Sequence, residues 1–303
     1  HGMLAAIGII IIVKQIHFTL GVVPTGKEVM SLFAEIPTSI RNLNPEVALI
    51  GLISMLILFL YPSIKNKFLK KLPAPLLVIG IAIPLGLYFQ LDHLHDYELG
   101  TLKFHIDPSQ ILVTLPNFFD GITHPDFSQI YSYTSIKYII MFALVGSIES
   151  ILSAKAVDSL DPEKRKSNLN RDLIAVGIGN TVAGAIGGLP MISEIVRSSA
   201  NINNGAKTKY SNLFHGLFLL VFAILAAPII QKIPNAALSA MLIYTGFKLA
   251  SPLEFKKVKN IGYDQLTLFI ITLIVTLLTD LLVGVAVGAV SYTHLRAHET
   301  RHD

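Results

Sequence analysis

Cysteine and tryptophan are both missing from this 303-residue chain. Without cysteine there are no disulfides, no thiolate metal sites and no cysteine nucleophiles, and the redox state of the compartment leaves no mark on the sequence. Charge is scarce as well: Asp, Glu, Lys and Arg make up 15% of residues, against 52% hydrophobic. A soluble domain carries about 25% charged residues, so this composition excludes an ordinary water-soluble protein and describes an integral membrane one. The formal net charge of +4 does not call for a nucleic-acid partner, because the basic residues gather between apolar runs, where membrane topology accounts for them.

Apolar segments of spanning or near-spanning length lie at about 46–61, 72–91, 135–157, 171–189, 211–231, 235–250 and 264–290, separated by turns rich in Pro, Gly, Asn and Lys. Met3 to Val13 is apolar too but about half as long as a span, as expected of a chain that starts inside a helix of a longer protein. Lipid admits only helices and closed barrels, and these runs lack the two-residue alternation of barrel strands. The fold class is therefore an all-α, multi-pass membrane protein. Lys65 to Lys71, Lys155 to Arg171, Lys207 with Lys209, and Lys248 to Lys259 mark loops on the cytoplasmic side. The connection 92–133 holds Lys103 as its one base against Asp92, Asp96, Glu98, Asp107, Asp120 and Asp126, which places it outside.

The alternation of sides requires residues 190–204 to cross as a segment of their own. Pro190 suits a first helical position and Asn203-Asn204-Gly205 a C-terminal cap, leaving a half-helix of about 12 residues, roughly 18 Å, that starts near the midplane. Such broken helices in secondary transporters aim their unpaired N–H groups and positive dipole end at anionic substrates. Pro190, Met191, Ile192 and Ser193 are thus candidate substrate-binding residues, with Ser193 best placed for direct contact. Glu194 and Arg197, three apart, share a face and read either as an internal ion pair or as a ligand set in which Arg197 supplies positive potential. The preceding stretch Gly177 to Gly188 is dense in small residues and reads first as a close-packing face.

Glu149 lies between Lys137 and Lys155, well inside the hydrocarbon, where a carboxylate costs about 2.5–3.5 kcal/mol unless protonated, paired or facing water. Gly146, Ser150 and Ser153 share its polar, small face, as expected for a cavity wall; a structural interhelical hydrogen bond is the competing reading. Thr279-Asp280 favours two short helices over one tilted helix across 264–290, with Asp280 as a cap in preference to an ion-pathway residue. The tail offers His298-Glu-Thr-Arg-His302, the zincin pattern, without a third ligand or a cleft, so a membrane zinc hydrolase is the least favoured reading, and no metal, cofactor or enzymatic role is called for. Ser291 to Asp303 breaks from the apolar run before it, looks like translated adapter sequence, and is excluded from the fold as a non-native tail.

Several of these runs carry a resemblance: Val145-Gly-Ser-Ile-Glu-Ser-Ile-Leu-Ser-Ala-Lys155, Gly179-Asn180, Gly187-Gly-Leu-Pro190, Ile195 to Thr208, Phe214-His-Gly216 and Ile233-Pro234 with Ala236-Ala237. Together they resemble the SulP (sulfate permease) family of inorganic anion transporters, over essentially 1–290. The resemblance implies a partial inverted seven-plus-seven helix repeat, sorted into core and gate helices. Residues 1–91 would be gate helices of a first repeat truncated at its N-terminus, 92–133 the extracellular connection, and 134–290 nearly all of the second repeat. It also implies that the opposing half-helix lies among earlier helices, and that a STAS domain usually follows the last one. Under this resemblance Glu149 takes the ion-coupling position, Glu194 stands beside it as a second acid, and Pro190 to Arg197 line the anion site. The expected function is a secondary transporter of a small inorganic anion, such as sulfate or bicarbonate, in the inner (plasma) membrane. A proton or sodium ion is the coupled ion, the proton favoured because two acids beside an anion are hard to keep ionised together. A homodimer is compatible with this reading. A nucleobase– or dicarboxylate–cation symporter of the same architecture is the alternative, against which Ile195 to Thr208 argues.

Overall fold

The computed structural model describes residues 2–64, 72–100, 102–115, 118–203 and 205–279, with 283–284, 286–288 and 290–292 beyond them. Residues 1–114 with 228–303 form one compact unit and 115–227 a second. The division cuts across the second repeat expected at 134–290, joining its later helices to the first ones.

In the first unit, α1 (Gly2–Thr19), α3 (Pro45–Leu60) and α11 (Asn235–Leu249) pack around one another, with α4 (Ala74–Tyr88) against α3 and α13 (Tyr263–Leu278) against α1. Lipid tails are as apolar as leucine, so close backbone approach rather than apolar burial has to hold such helices together. Glycines provide it. A Cβ on Gly8 would lie 2.5 Å from the Gly246 carbonyl oxygen, and one on Gly246 would lie 2.6 Å from that of Gly8. Farther along α1, Gln15 accepts a 2.9 Å hydrogen bond from Ser239, nearer the start of α11, so the two helices run antiparallel. Gly51 lets α3 reach the Thr19 carbonyl in the same way. Val47, Ile50, Leu58, Val78, Ala82, Ala236, Ala237 and Ala240 fill the space among α3, α4 and α11.

α1 runs past the apolar stretch Met3 to Val13 because its polar residues find places: Lys14 is exposed, while His17 is buried. The His17 Nε2–H donates to the Leu32 carbonyl at 3.1 Å, which leaves Nδ1 facing the Ser39 hydroxyl at 2.7 Å. Both partners lie on α2 (Val29–Arg41), an amphipathic helix without a spanning apolar run. The Asn44-Pro45-Glu46 start of α3 behaves as its residues demand: Asn44 caps Val47 N–H, Pro45 sits where no intrahelical donor is needed, and the acid falls in the first turn. Within the acidic connection, β1 (His95–Leu99) and β2 (Leu102–Ile106) form an antiparallel hairpin turning at Gly100, whose φ is +66°. Tyr97 ties it to the α3 start, donating to Asn44 Oδ1 at 2.8 Å and accepting from Glu46 N–H at 3.4 Å. One-turn α5 (Pro108–Ile111) follows, capped by Asp107.

α12 (Pro252–Ile261) is a short, lysine-bearing helix between α11 and α13. α13 stops at Leu278, and the chain folds back on it: a Cβ on Gly284 would strike the Thr276 hydroxyl, and one on Gly288 would lie 2.5 Å from that of Thr272. Residues 264–290 thus include two antiparallel arms, as read from Thr279. Asp280 and the tail from Thr293 onward, including the zincin-like pattern, lie outside the described residues.

The second unit holds α6 (Tyr133–Leu160), α7 (Leu169–Ala185), α8 (Ile195–Asn203), α9 (Tyr210–Leu225) and, at its end, the start of one-turn α10 (Ala227–Ile230). Ser132 and Asn168 cap α6 and α7 through Ser135 N–H and Arg171 N–H. α7 closes in a Schellman turn: Gly187, at φ +82°, donates to the Gly184 carbonyl at 3.3 Å, and Gly188 donates to that of Ala183 at 2.7 Å. A side chain at Gly187 would meet both the left-handed backbone penalty and the Thr123 hydroxyl.

Candidate functional site

The half-helix is shorter than the sequence suggests. Residues 188–194 are non-helical and α8 starts at Ile195, not Pro190. Three local causes hold the lead-in open. The Schellman turn sends the chain out of α7, Pro190 biases Leu189 away from helical angles, and Asn180 captures the backbone that a helix would use. Its Oδ1 accepts from Met191 N–H at 2.7 Å and its Nδ2 donates to the Met191 carbonyl at 2.9 Å. The opposite polarity of those two partners fixes which way the amide points.

The lead-in is seated on small residues of both long helices. Met191 folds over Gly179, its Cε occupying the place a Cβ there would take, and Ile192 Cγ2 comes within 3.5 Å of a Cβ position on Gly146. One turn along α6 from Gly146, fully buried Ser150 accepts a 3.3 Å hydrogen bond from Ser193 N–H. The Ser193 hydroxyl in turn donates to Asp172 Oδ2 on α7 at 3.2 Å. The N–H groups of Met191 and Ser193, expected as free donors of a first helical turn, are therefore engaged by Asn180 and Ser150. Gly177 and Gly184 have nothing in contact with their Cβ positions, so the small-residue stretch of α7 serves the lead-in at Gly179 rather than packing along its whole length.

Glu194 ends the lead-in and begins α8: its carbonyl accepts from Ser198 N–H at 3.3 Å and from the Ser198 hydroxyl at 2.7 Å. Its carboxylate pairs with Arg197 Nε at 3.3 Å, the internal ion pair that the spacing permits. Both side chains are well exposed, and such a pair contributes about 0–1 kcal/mol in water. Glu149 is half-buried beside Ser150, and among the described residues no hydrogen-bond donor or cation pairs with its carboxylate.

At the C-terminal end of α6, Arg165 Nε donates to Asp161 Oδ2 at 2.7 Å and its Nη2 donates to Oδ1 at 3.0 Å. That fork, with backbone donors of Arg165 and Glu163, holds the Asp161 carboxyl down at about 2. Arg165 Nη1 also donates to the Lys207 carbonyl at 2.9 Å, linking the loop after α6 to the loop after α8.

Asp172 is the site residue the sequence conceals: an acid in a first helical turn reads as a complement to the helix dipole. Asn180 had a signal, being a lone amide inside an otherwise small and apolar stretch of α7.

A family model described as the sulfate permease family matches residues 1–274. The putative sulfate transporter YvdB of Bacillus subtilis (strain 168) is 28% identical over 269 residues, which cover 86% of this chain and 46% of that protein. The bicarbonate transporter BicA of Picosynechococcus sp. is 25% identical over 262 residues, 86% of this chain and 43% of the relative. The chain thus spans under half the length of these relatives. Among solved structures, the transmembrane domain of a cyanobacterium bicarbonate transporter BicA superposes with a TM-score of 0.71 at 22% identity, covering 94% of this chain and 67% of that one. The murine Slc26a9 anion transporter in its inward-facing state gives 0.78 at 16% identity, covering 99% and 47%. These likenesses show a shared helical membrane fold. With the family match running over most of the sequence, the chain is a multi-pass membrane protein that belongs to the sulfate permease family.

Proposed function

We propose that the protein is a secondary transporter of a small inorganic anion, sulfate or bicarbonate or one of similar size, in the plasma (inner) membrane. The observation that carries this reading is the lead-in Gly188 to Glu194, an extended segment pinned across two long helices and followed by half-helix α8. Backbone that leaves the helical form at membrane depth is tolerated only where protein or a water-lined cavity satisfies it. Ser193 is central. Its hydroxyl already donates to a carboxylate oxygen, that of Asp172, so it can donate to an oxyanion in the same geometry. A bound anion would take that donor from Asp172, while Pro190 to Ile192 shape the approach and Arg197 lends positive potential. Glu149, adjacent to Ser150 on the α6 face that receives the lead-in, is the residue proposed to couple a proton or sodium ion to the anion. A homodimer is compatible with this scheme. The similarity to a putative sulfate transporter and to a bicarbonate transporter supports the substrate class.

The experiment is uptake of labelled sulfate, bicarbonate, succinate and uracil by the full-length protein and its Ser193→Phe variant. The proposal expects uptake of one of the inorganic anions, lost in the variant at unchanged expression. Uptake of uracil or succinate alone, or unchanged anion uptake with the bulky ring in place, overturns it.

A further inference from the structure

The lysines at and just beyond the end of α6 look like ordinary topology signals, which would be expected to reach into solvent. In the structure they are indeed exposed, yet they share one wall. Lys155, Lys164 and Lys166 line one concavity of about 460 Å³ with Asp158, Ser159 and Ser167. That volume falls within the range of about 300–1,000 Å³ typical of small-ligand sites.

The wall has spent its other polar capacity internally. Asp158 accepts from Ser167 N–H at 2.9 Å and from the Ser167 hydroxyl at 2.6 Å. The Ser159 hydroxyl donates to the Ala156 carbonyl at 2.6 Å. Arg165, the remaining cation of the loop, is drawn to Asp161 and the Lys207 carbonyl and does not line the cavity. Lys164, between them, adopts a left-handed φ of +54°. Among the described residues none of the three lysine ammonium groups has a carboxylate partner. Three compact cations with only donors to offer, on a wall whose one carboxylate is already engaged, fit a multiply charged oxyanion.

We infer that this cavity at the cytoplasmic end of α6 is a phosphate-binding site, distinct from the lead-in at Ser193. Lys155 belongs to the last turns of a spanning helix, so the cavity lies at headgroup depth. A phosphate there can belong to an anionic phospholipid of the cytoplasmic leaflet or to a soluble phosphate. Either would cross-link the end of α6 to the start of α7.

The test uses the full chain in phosphatidylcholine nanodiscs with two arms. In the first, phosphatidylglycerol is added and its retention followed by native mass spectrometry; in the second, inorganic phosphate is titrated and binding read from the thermal midpoint. The site predicts that Lys155→Gln/Lys164→Gln/Lys166→Gln weakens binding at least tenfold. A control, Lys256→Gln/Lys259→Gln on α12, leaves it unchanged. Retention of phosphatidylglycerol without a phosphate response assigns a lipid headgroup, and a phosphate response in pure phosphatidylcholine assigns a soluble ligand; each supports the site. Where the triple variant does not fold, the exposed-loop reversal Lys166→Glu replaces it with the same expected loss. Absence of binding in both arms, binding unaltered by the cavity substitutions, or an equal loss in the α12 control overturns the inference.

Discussion

Asn180 and Met191 exchange two hydrogen bonds, the amide of one side chain taking both backbone groups of the other residue, at 2.7 and 2.9 Å. The pair works like one rung of a β-ladder between a helix and an extended segment, and it keeps the lead-in from joining α8. Net, two such bonds contribute about 1–3 kcal/mol. Asn180→Ala should lower the thermal midpoint modestly and reduce uptake by the full-length protein at least tenfold. Asn180→Asp, which can accept from Met191 N–H but not donate to its carbonyl, should fall between. Wild-type uptake by Asn180→Ala would remove the rung from the mechanism.

The Ser193 hydroxyl donates to Asp172 Oδ2 at 3.2 Å, so an anion taking the proposed position would compete with that carboxylate for it. Asp172→Asn removes a negative charge beside the proposed anion position while keeping an oxygen acceptor, so the apparent KM for anion should fall several-fold. Ser193→Ala should move it the opposite way. Both KM values moving together, or neither moving, contradicts an anion held by that hydroxyl.

In the first unit, Gly8→Ala would force its Cβ to within 2.5 Å of a backbone oxygen that cannot swing aside. Overpacking of this kind costs about 1–3 kcal/mol. Gly80→Ala meets nothing within 4 Å and should be neutral or slightly stabilising. Thermal melts of the two variants should therefore shift apart, Gly8→Ala downward.

The spans were legible because their apolar runs are long, and the helix starts at Pro45 and Leu169 because Asn44 and Asn168 are local caps. The Glu194–Arg197 pair follows from three-residue spacing alone. What escaped depends on distant partners. Nothing near α2 shows that His17 will anchor its Ser39 face, and the hairpin rests on Tyr97 reaching Asn44. The start of α8 was misplaced for the same reason: Pro190 is a good first helical residue until Asn180 claims Met191.

The Asp161–Arg165 fork sets a pH window. The folded carboxyl titrates at about 2, below the roughly 3.9 of an unfolded Asp. Its contribution to the folded state is therefore fully present above about 3.9 and fades as pH falls through about 2. Arg165→Gln should return the Asp161 titration, followed by carboxyl carbon NMR, toward the ordinary range. It should also release the Lys207 carbonyl, seen as faster amide exchange in the loop after α8. A titration still near 2 in the variant would assign the low value to the backbone donors instead.

Glu149 is the residue proposed to carry the coupling, and its substitution separates the two candidate ions. An ion that binds with the anion must favour it and be favoured by it to the same degree, because the linkage is reciprocal. With a proton, uptake should rise as external pH falls, and Glu149→Gln, which mimics the protonated acid, should keep exchange or binding while losing pH dependence. With sodium, the carboxylate must stay charged to ligate the cation beside other oxygens, so the same variant should lose sodium dependence and most of its uptake. The neutral isostere keeps the volume of the glutamate on the α6 face that seats Ile192 and Ser193, so loss through misfolding is checked by an unchanged thermal midpoint. Uptake by Glu149→Gln that retains wild-type dependence on both pH and sodium would take Glu149 out of the coupling and leave it a structural residue of α6.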